Sequence, residues 1–209
     1  MESGHHPARR QLLTGAAALA AAAALTPLAT ARAAARTAGP GTAGPGSAAY
    51  PPVHWSAASP ANYTDADRPA QYPIEMVVVH VTQETYTDTL RLFQDPAHQA
   101  AAHYVVRSAD GYLAQCVSER NIAWHAGNWD YNTHSIGIEH EGWIDEPKWF
   151  TDALYRQSAR LTAAICERYG IPKDREHIIG HAEVPGTDHT DPGEYWDWAR
   201  YMRLVIEDS

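Results

Sequence analysis

The chain has 209 residues and a formal net charge of -9, with 44% hydrophobic against 20% charged residues. That balance supplies a core and excludes a disordered polyelectrolyte, and the negative sign argues against coating nucleic acid or an anionic lipid surface. Two cysteines cannot make a disulfide-rich scaffold.

Arg9 and Arg10 precede an uncharged, Ala-rich segment over residues 11–31, and Ala31, Arg32 and Ala33 offer a small-x-small cleavage site. This is the pattern of a twin-arginine secretory signal occupying residues 1–33. A retained transmembrane helix is the competing reading, but Thr14, Gly15, Thr26 and Pro27 interrupt the segment, and alanine is weakly apolar for a span. Cleavage near Ala33 would remove Arg9, Arg10, Arg32 and Glu2, leaving a more acidic, exported protein with no stable membrane anchor. Residues 34–49 are Ala, Gly, Pro, Thr and Ser with one Arg, a composition expected to give a flexible leader. Residues 50–209 form one domain of ordinary size, without internal repeats and expected to work as a monomer.

Within that domain, residues 74–81 are a β-branched run with His80 near its end, which predicts a buried strand. Residues 87–93 are helical in pattern and stopped by Asp95 and Pro96. Residues 103–107 and 112–117 flank Ala109, Asp110 and Gly111, which predicts a hairpin. Residues 135–141 read as another strand, and residues 152–169 as a long amphipathic helix ended by Gly170 and Pro172. A closing helix is expected over residues 195–206. The fold class is therefore mixed α/β, a central mixed β-sheet flanked by helices. Cys116 and Cys166 fall in separate elements and either pair with each other or stay as buried thiols; neither sits in a CxxC pair that would bind metal.

Residues 180–193, GHAEVPGTDHTDPG, pack His181, Glu183, Asp188, His189 and Asp191 between Pro185, Gly186, Pro192 and Gly193. An ordinary loop carries far less metal-binding capacity. His80 alone would be taken for a hydrogen-bonded core histidine, but this loop reverses that preference. Zn²⁺ takes nitrogen and oxygen ligands in a tetrahedral array, and three protein ligands leave a fourth position for water. His80, His181 and Asp191 are the expected set.

Glu139 lies in SIGIEHEG, where strand alternation places Gly137, Glu139 and Glu141 on one face and Ile136, Ile138 and His140 on the other. A solvated edge position is the plain reading of a strand glutamate. Beside a metal-bound water, however, it can take a proton and later return it to a leaving amine, and Gly137 would leave room for substrate. Other metalloenzyme readings fit less well. His181-Ala-Glu183 lacks the following Pro-Cys-x-x-Cys of a zinc deaminase, and no His-Glu-x-x-His is present for a zincin protease. An Fe(II) oxygenase can also use two histidines and an aspartate, and oxygen dependence would separate it from a hydrolase.

Five segments, in this order and at these intervals, carry a resemblance: VVVHVTQ, AAHYVVRSADG, AWHAGNW, SIGIEHEG, and GHAEVPGTDHTDPG followed by YWDW. The chain resembles the zinc-dependent N-acetylmuramoyl-L-alanine amidases, which share a fold with T7 lysozyme and the peptidoglycan recognition proteins. The resemblance covers most of residues 74–200. It implies a zinc amidase domain over residues 50–209 that hydrolyses the amide between N-acetylmuramic acid and L-alanine in peptidoglycan or muropeptides. It also implies one Zn²⁺ held by His80, His181 and Asp191, with Glu139 as the catalytic glutamate. Some relatives use a tyrosine immediately before the position of His103; Ala102 stands here, which groups this chain with the glutamate users. Where the family usually has a lysine two residues before the third ligand, this chain has His189, an oxyanion donor that would make activity more sensitive to pH.

His125 matches a family position lining the cleft and is expected to touch substrate or brace a ligand, and His103 has a similar claim. Glu183 is expected to orient the loop from behind His181. His54, His98, His134, His140 and His177 are expected at the surface or in packing. Of the seven tryptophans, core packing is the default, and Trp124 and Trp129, flanking His125, are the candidates for contact with sugar. A non-catalytic peptidoglycan-binding protein on the same fold is the alternative, although relatives of that type typically lack a zinc ligand.

Overall fold

The computed structural model describes residues 49–207. The expected signal and all but the last residue of the leader lie outside them. The strands and helices, in chain order, are β1 (His54–Trp55), β2 (Tyr63–Thr64), β3 (Met76–Val81), α1 (Tyr86–Gln94), β4 (Tyr104–Val106), β5 (Leu113–Gln115), β6 (Ile122–Ala123), α2 (Trp129–His134), β7 (Ser135–His140), α3 (Asp152–Tyr169), β8 (Ile178–Gly180) and α4 (Trp198–Glu207). Six strands form one sheet in the order β1-β5-β4-β7-β3-β8, and β2 pairs with β6 in a small antiparallel ribbon. In the main sheet only β4 and β5 run antiparallel. This is the mixed α/β architecture expected from the sequence.

Strand β3, flanked by β7 and β8, is buried from Val77 onward, and its β-branched run suits a position covered on both faces. Alternation then separates two environments. Val77, Val79 and Val81 join Ile136, Ile138 and Ile178 in the large core beneath α3 and α4, with Leu154, Tyr155, Leu161, Ile165 and Tyr201 packed against them. Val78 and Ile179 point to the opposite face, where they meet Ala126 and Val184. His80 shares that second face with Val78, so the pleat that builds the core also aims His80 at the functional side.

Caps set the helix limits. Thr85 and Thr151 accept hydrogen bonds from Asp88 N and Leu154 N, starting α1 and α3. Gly170, at φ 70°, closes α3 in the left-handed conformation that a residue with a side chain resists. The last helix starts later than its pattern suggested. Asp197 accepts from Arg200 N and its own N–H donates to the Tyr155 hydroxyl, so Asp197 acts as the cap and Tyr195 remains outside. Cys116 and Cys166 are both free and buried.

Candidate metal centre

Parallel pairing of β3 with β7 sets His80 directly beside Glu139. The pairing of β3 with β8 ends at Val79 opposite Gly180, and the chain then turns into a single 3-10 turn, His181–Glu183. His181 therefore emerges over the end of the sheet next to His80, their rings 4.5 Å apart. The returning loop brings Asp191 between them. Asp191 Oδ2 is 3.4 Å from His80 Nδ1 and Oδ1 is 3.2 Å from His181 Nδ1. One ligand atom from each of the three lies within 4.8 Å of the others, and all three residues are buried.

The loop is braced at several points. Val81 N donates to Asp191 Oδ2 at 3.3 Å, and Ala182 N donates to the Asp191 carbonyl at 2.9 Å. Glu183 Oε2 accepts from Gly180 N at 2.7 Å and pairs with Arg175, whose guanidinium lies over the Trp198 ring. Gly180 permits the close approach of the returning strand: a Cβ there would sit 2.6 Å from Pro192 Cδ. Asn128 Nδ2 reaches across to the Pro185 carbonyl. Glu183 thus acts on the loop backbone, not on the His181 ring.

Electrostatics separate the carboxylates. Burial alone would raise the Asp191 carboxyl, but His181 and His80 outweigh it and hold the group well below the ordinary carboxylate range. Burial, with the Asp191 charge adding to it, raises Glu139 well above that range. Glu139 Oε2 is buried without a hydrogen-bond partner among the described residues. Burial lowers the affinity of His80 for a proton, which favours the neutral ring a metal needs.

His189 is exposed, its ring stacked on His181 at 4.0 Å and its Nδ1 3.4 Å from Asp191 Oδ1. It sits at the mouth of the centre. Trp129 begins α2 and is 54% exposed, whereas Trp124 is half-buried with its indole N–H committed to Thr64 Oγ1.

One expectation needs correction and another is narrowed. The space above Gly137 is filled by the His125 ring and is not open to substrate: a Cβ at Gly137 would lie 2.5 Å from His125 Cγ. His103 is fully buried, so it cannot line a substrate cleft. Its Nδ1 accepts from Gly137 N and its ring lies 5.7 Å from that of His125, which places it behind the centre.

The sequence reading missed three residues that fix this region. Arg68 is 2% exposed and donates from Nη1 to the carbonyls of Asn132, Thr133 and Ser135, gathering the end of α2 and the start of β7. Asn132 Oδ1 accepts from His125 N and Ala126 N. Ser135 Oγ lies 3.1 Å from His125 Nε2. Ser135 opens the SIGIEHEG segment but shows no chemistry of its own there, and Arg68 acts mainly on backbone carbonyls.

The N-acetylmuramoyl-L-alanine amidase family model matches residues 70–194. N-acetylmuramoyl-L-alanine amidase A of Achromobacter lyticus is 34% identical over 168 residues, covering 72% of this chain and 92% of that protein. The 1,6-anhydro-N-acetylmuramyl-L-alanine amidase AmpD of Escherichia coli K12 is 37% identical over 124 residues, covering 56% of this chain and 65% of AmpD. The crystal structure of a selenomethionine AmpD derivative superposes with a TM-score of 0.61 at 29% identity, over 73% of this chain and 94% of that one. The chain belongs to the N-acetylmuramoyl-L-alanine amidase family.

Proposed function

We propose that this protein is a zinc hydrolase cleaving the amide between N-acetylmuramic acid and L-alanine in peptidoglycan or muropeptides. The observation that carries the reading is the convergence of buried His80, His181 and Asp191 beside Glu139, whose Oε2 is buried without a hydrogen-bond partner among the described residues. The donor set suits zinc: two imidazole nitrogens and a carboxylate are its ordinary ligands. The donors also converge: one ligand atom from each residue lies within 4.8 Å of the other two. A zinc ion held there would supply Lewis acidity towards the scissile carbonyl and lower the pKa of its water.

The chain's own groups carry the protons. Glu139, desolvated and next to Asp191, has a raised proton affinity that suits a group taking a proton from water and passing it to the alanine nitrogen as the C–N bond breaks. His189, at the mouth, donates a hydrogen bond to the oxygen that becomes negative. Trp129 offers an exposed aromatic face at the rim for a sugar or stem peptide. Arg9 and Arg10 with the Ala-rich segment support export to the compartment that holds peptidoglycan.

Release of peptide from purified sacculi tests the assignment. The zinc-loaded parent should release peptide bearing a new N-terminal alanine, and chelated protein should release none until zinc is returned. Binding to sacculi without release by any preparation would favour a recognition protein over an enzyme.

A further inference from the structure

Behind His80 runs a hydrogen-bonded line that the proposed chemistry does not use. Ser135 is fully buried where α2 meets β7. Its Oγ lies 2.5 Å from the Tyr131 carbonyl, which can only accept, so the single hydroxyl proton is spent there. The same Oγ then has only lone pairs to offer His125 Nε2 at 3.1 Å, so Nε2 carries the proton. A neutral imidazole protonated at Nε2 is bare at Nδ1. That Nδ1 lies 2.9 Å from His80 Nε2, which must therefore donate, leaving the His80 Nδ1 lone pair turned towards Asp191 and His181. The groups against the His125 ring are His80, His103, Gly137 and Ser135, none of them an anion that would hold a second proton on it.

One contact works against this order. Asp191 Oδ2, 3.4 Å from His80 Nδ1, would favour a proton on that nitrogen. The contact to His125 is shorter, and His125 is locked on three sides. Asn132 holds its backbone, Gly137 receives its ring and Ser135 fixes its far nitrogen. Arg68 in turn holds the carbonyl of Ser135.

We propose that Ser135 is a positioning residue which, through His125, fixes His80 in the Nε2–H tautomer and keeps its Nδ1 available to a metal. The proposal rests on the reading of His80 as a metal ligand, but the tautomer it predicts exists before any metal binds. Without the Ser135 hydroxyl, His125 is free to move its proton to Nδ1 and donate to His80 Nε2. That would put the His80 proton on Nδ1, where a metal should bind. Losing such a partner typically weakens metal binding about 10–100-fold.

Nitrogen-15 spectra of the histidine rings in the metal-free parent test the first half without any substitution. Nε2–H on both His80 and His125 is expected, and Nδ1–H on either overturns the proposal. Zinc affinity by chelator competition then tests the consequence. Ser135→Ala should bind zinc about 10–100-fold more weakly and show a mixed His80 tautomer, with Ser135→Thr restoring both. Unchanged tautomers and affinity in Ser135→Ala would also overturn the proposal. Failure of the parent to bind zinc would instead sink the metal reading, with the parent tautomers still deciding the hydrogen-bond order. Should Ser135→Ala fail to fold, the parent spectra alone remain decisive.

Discussion

The centre has two halves built in different ways. His80 and Glu139 stand side by side on neighbouring parallel strands inside the sheet, and the outer nitrogen of His80 has a partner in His125. His181 and Asp191 come from a loop, and the outer nitrogen of His181 is buried with no hydrogen-bond partner among the described residues. The sheet half takes its geometry from strand register, and the loop half from side-chain ties such as Glu183 to Gly180 N and Val81 N to Asp191. The difference teaches a division of labour. In the proposed reading the sheet fixes the groups whose protonation matters, while the loop would close around a metal and presents His189 to solvent.

The largest test of that division falls on the sheet half. Glu139→Gln keeps the shape and removes the proton carrier, so kcat should fall about 10²–10⁴-fold while zinc affinity stays close to the parent's. An active variant would show that this carboxyl is not the base. On the loop half, His189→Ala should lower kcat by about 10²-fold, towards the lower end for an oxyanion donor because His189 is exposed. His189→Lys should recover most of that activity. Equal activity in the alanine variant would reduce His189 to a stacking partner of His181.

A third test concerns stability and leaves the site chemistry aside. His140 leaves the site face and donates from Nδ1 to the His80 carbonyl while Nε2 accepts from Ser158 Oγ. Burial pushes its pKa down to about 3, against about 6.5 in an unfolded chain. Between those values the unfolded chain binds a proton that the folded one refuses. Its contribution is therefore complete above pH 6.5 and is lost on acidification towards 3, by up to about 1.4 kcal/mol per pH unit. Urea titrations across that window should show the slope, and His140→Gln should flatten it by that amount. An unaltered slope would mean that other buried histidines account for the acid sensitivity.

How far the sequence foretold this depends on the length and chemistry of each piece. The runs that became β3, β7 and α3 are long enough to carry a period, and α3 matches its expected limits. The two-residue strands β1, β2 and β6, the three-residue β8 and the six-residue α2 are too short to carry one. His80, His181 and Asp191 were legible because their side chains have few other reasons to crowd one loop and one strand end. Ser135 and Asn132 looked like ordinary polar residues, because their importance lies in which ring or backbone group they meet. Gly137 stands out for its size, but the tertiary fold sets which ring fills the space above it, and that ring is His125.

The central claim, that sheet and loop together hold one catalytic metal, is tested most directly by zinc titration of metal-free protein with Asp191→Ala alongside. One tightly bound zinc per parent chain is expected, with amidase activity recovering in proportion to zinc bound and both lost in the variant. Parent activity that persists without metal, or zinc bound as tightly by Asp191→Ala as by the parent, would contradict it.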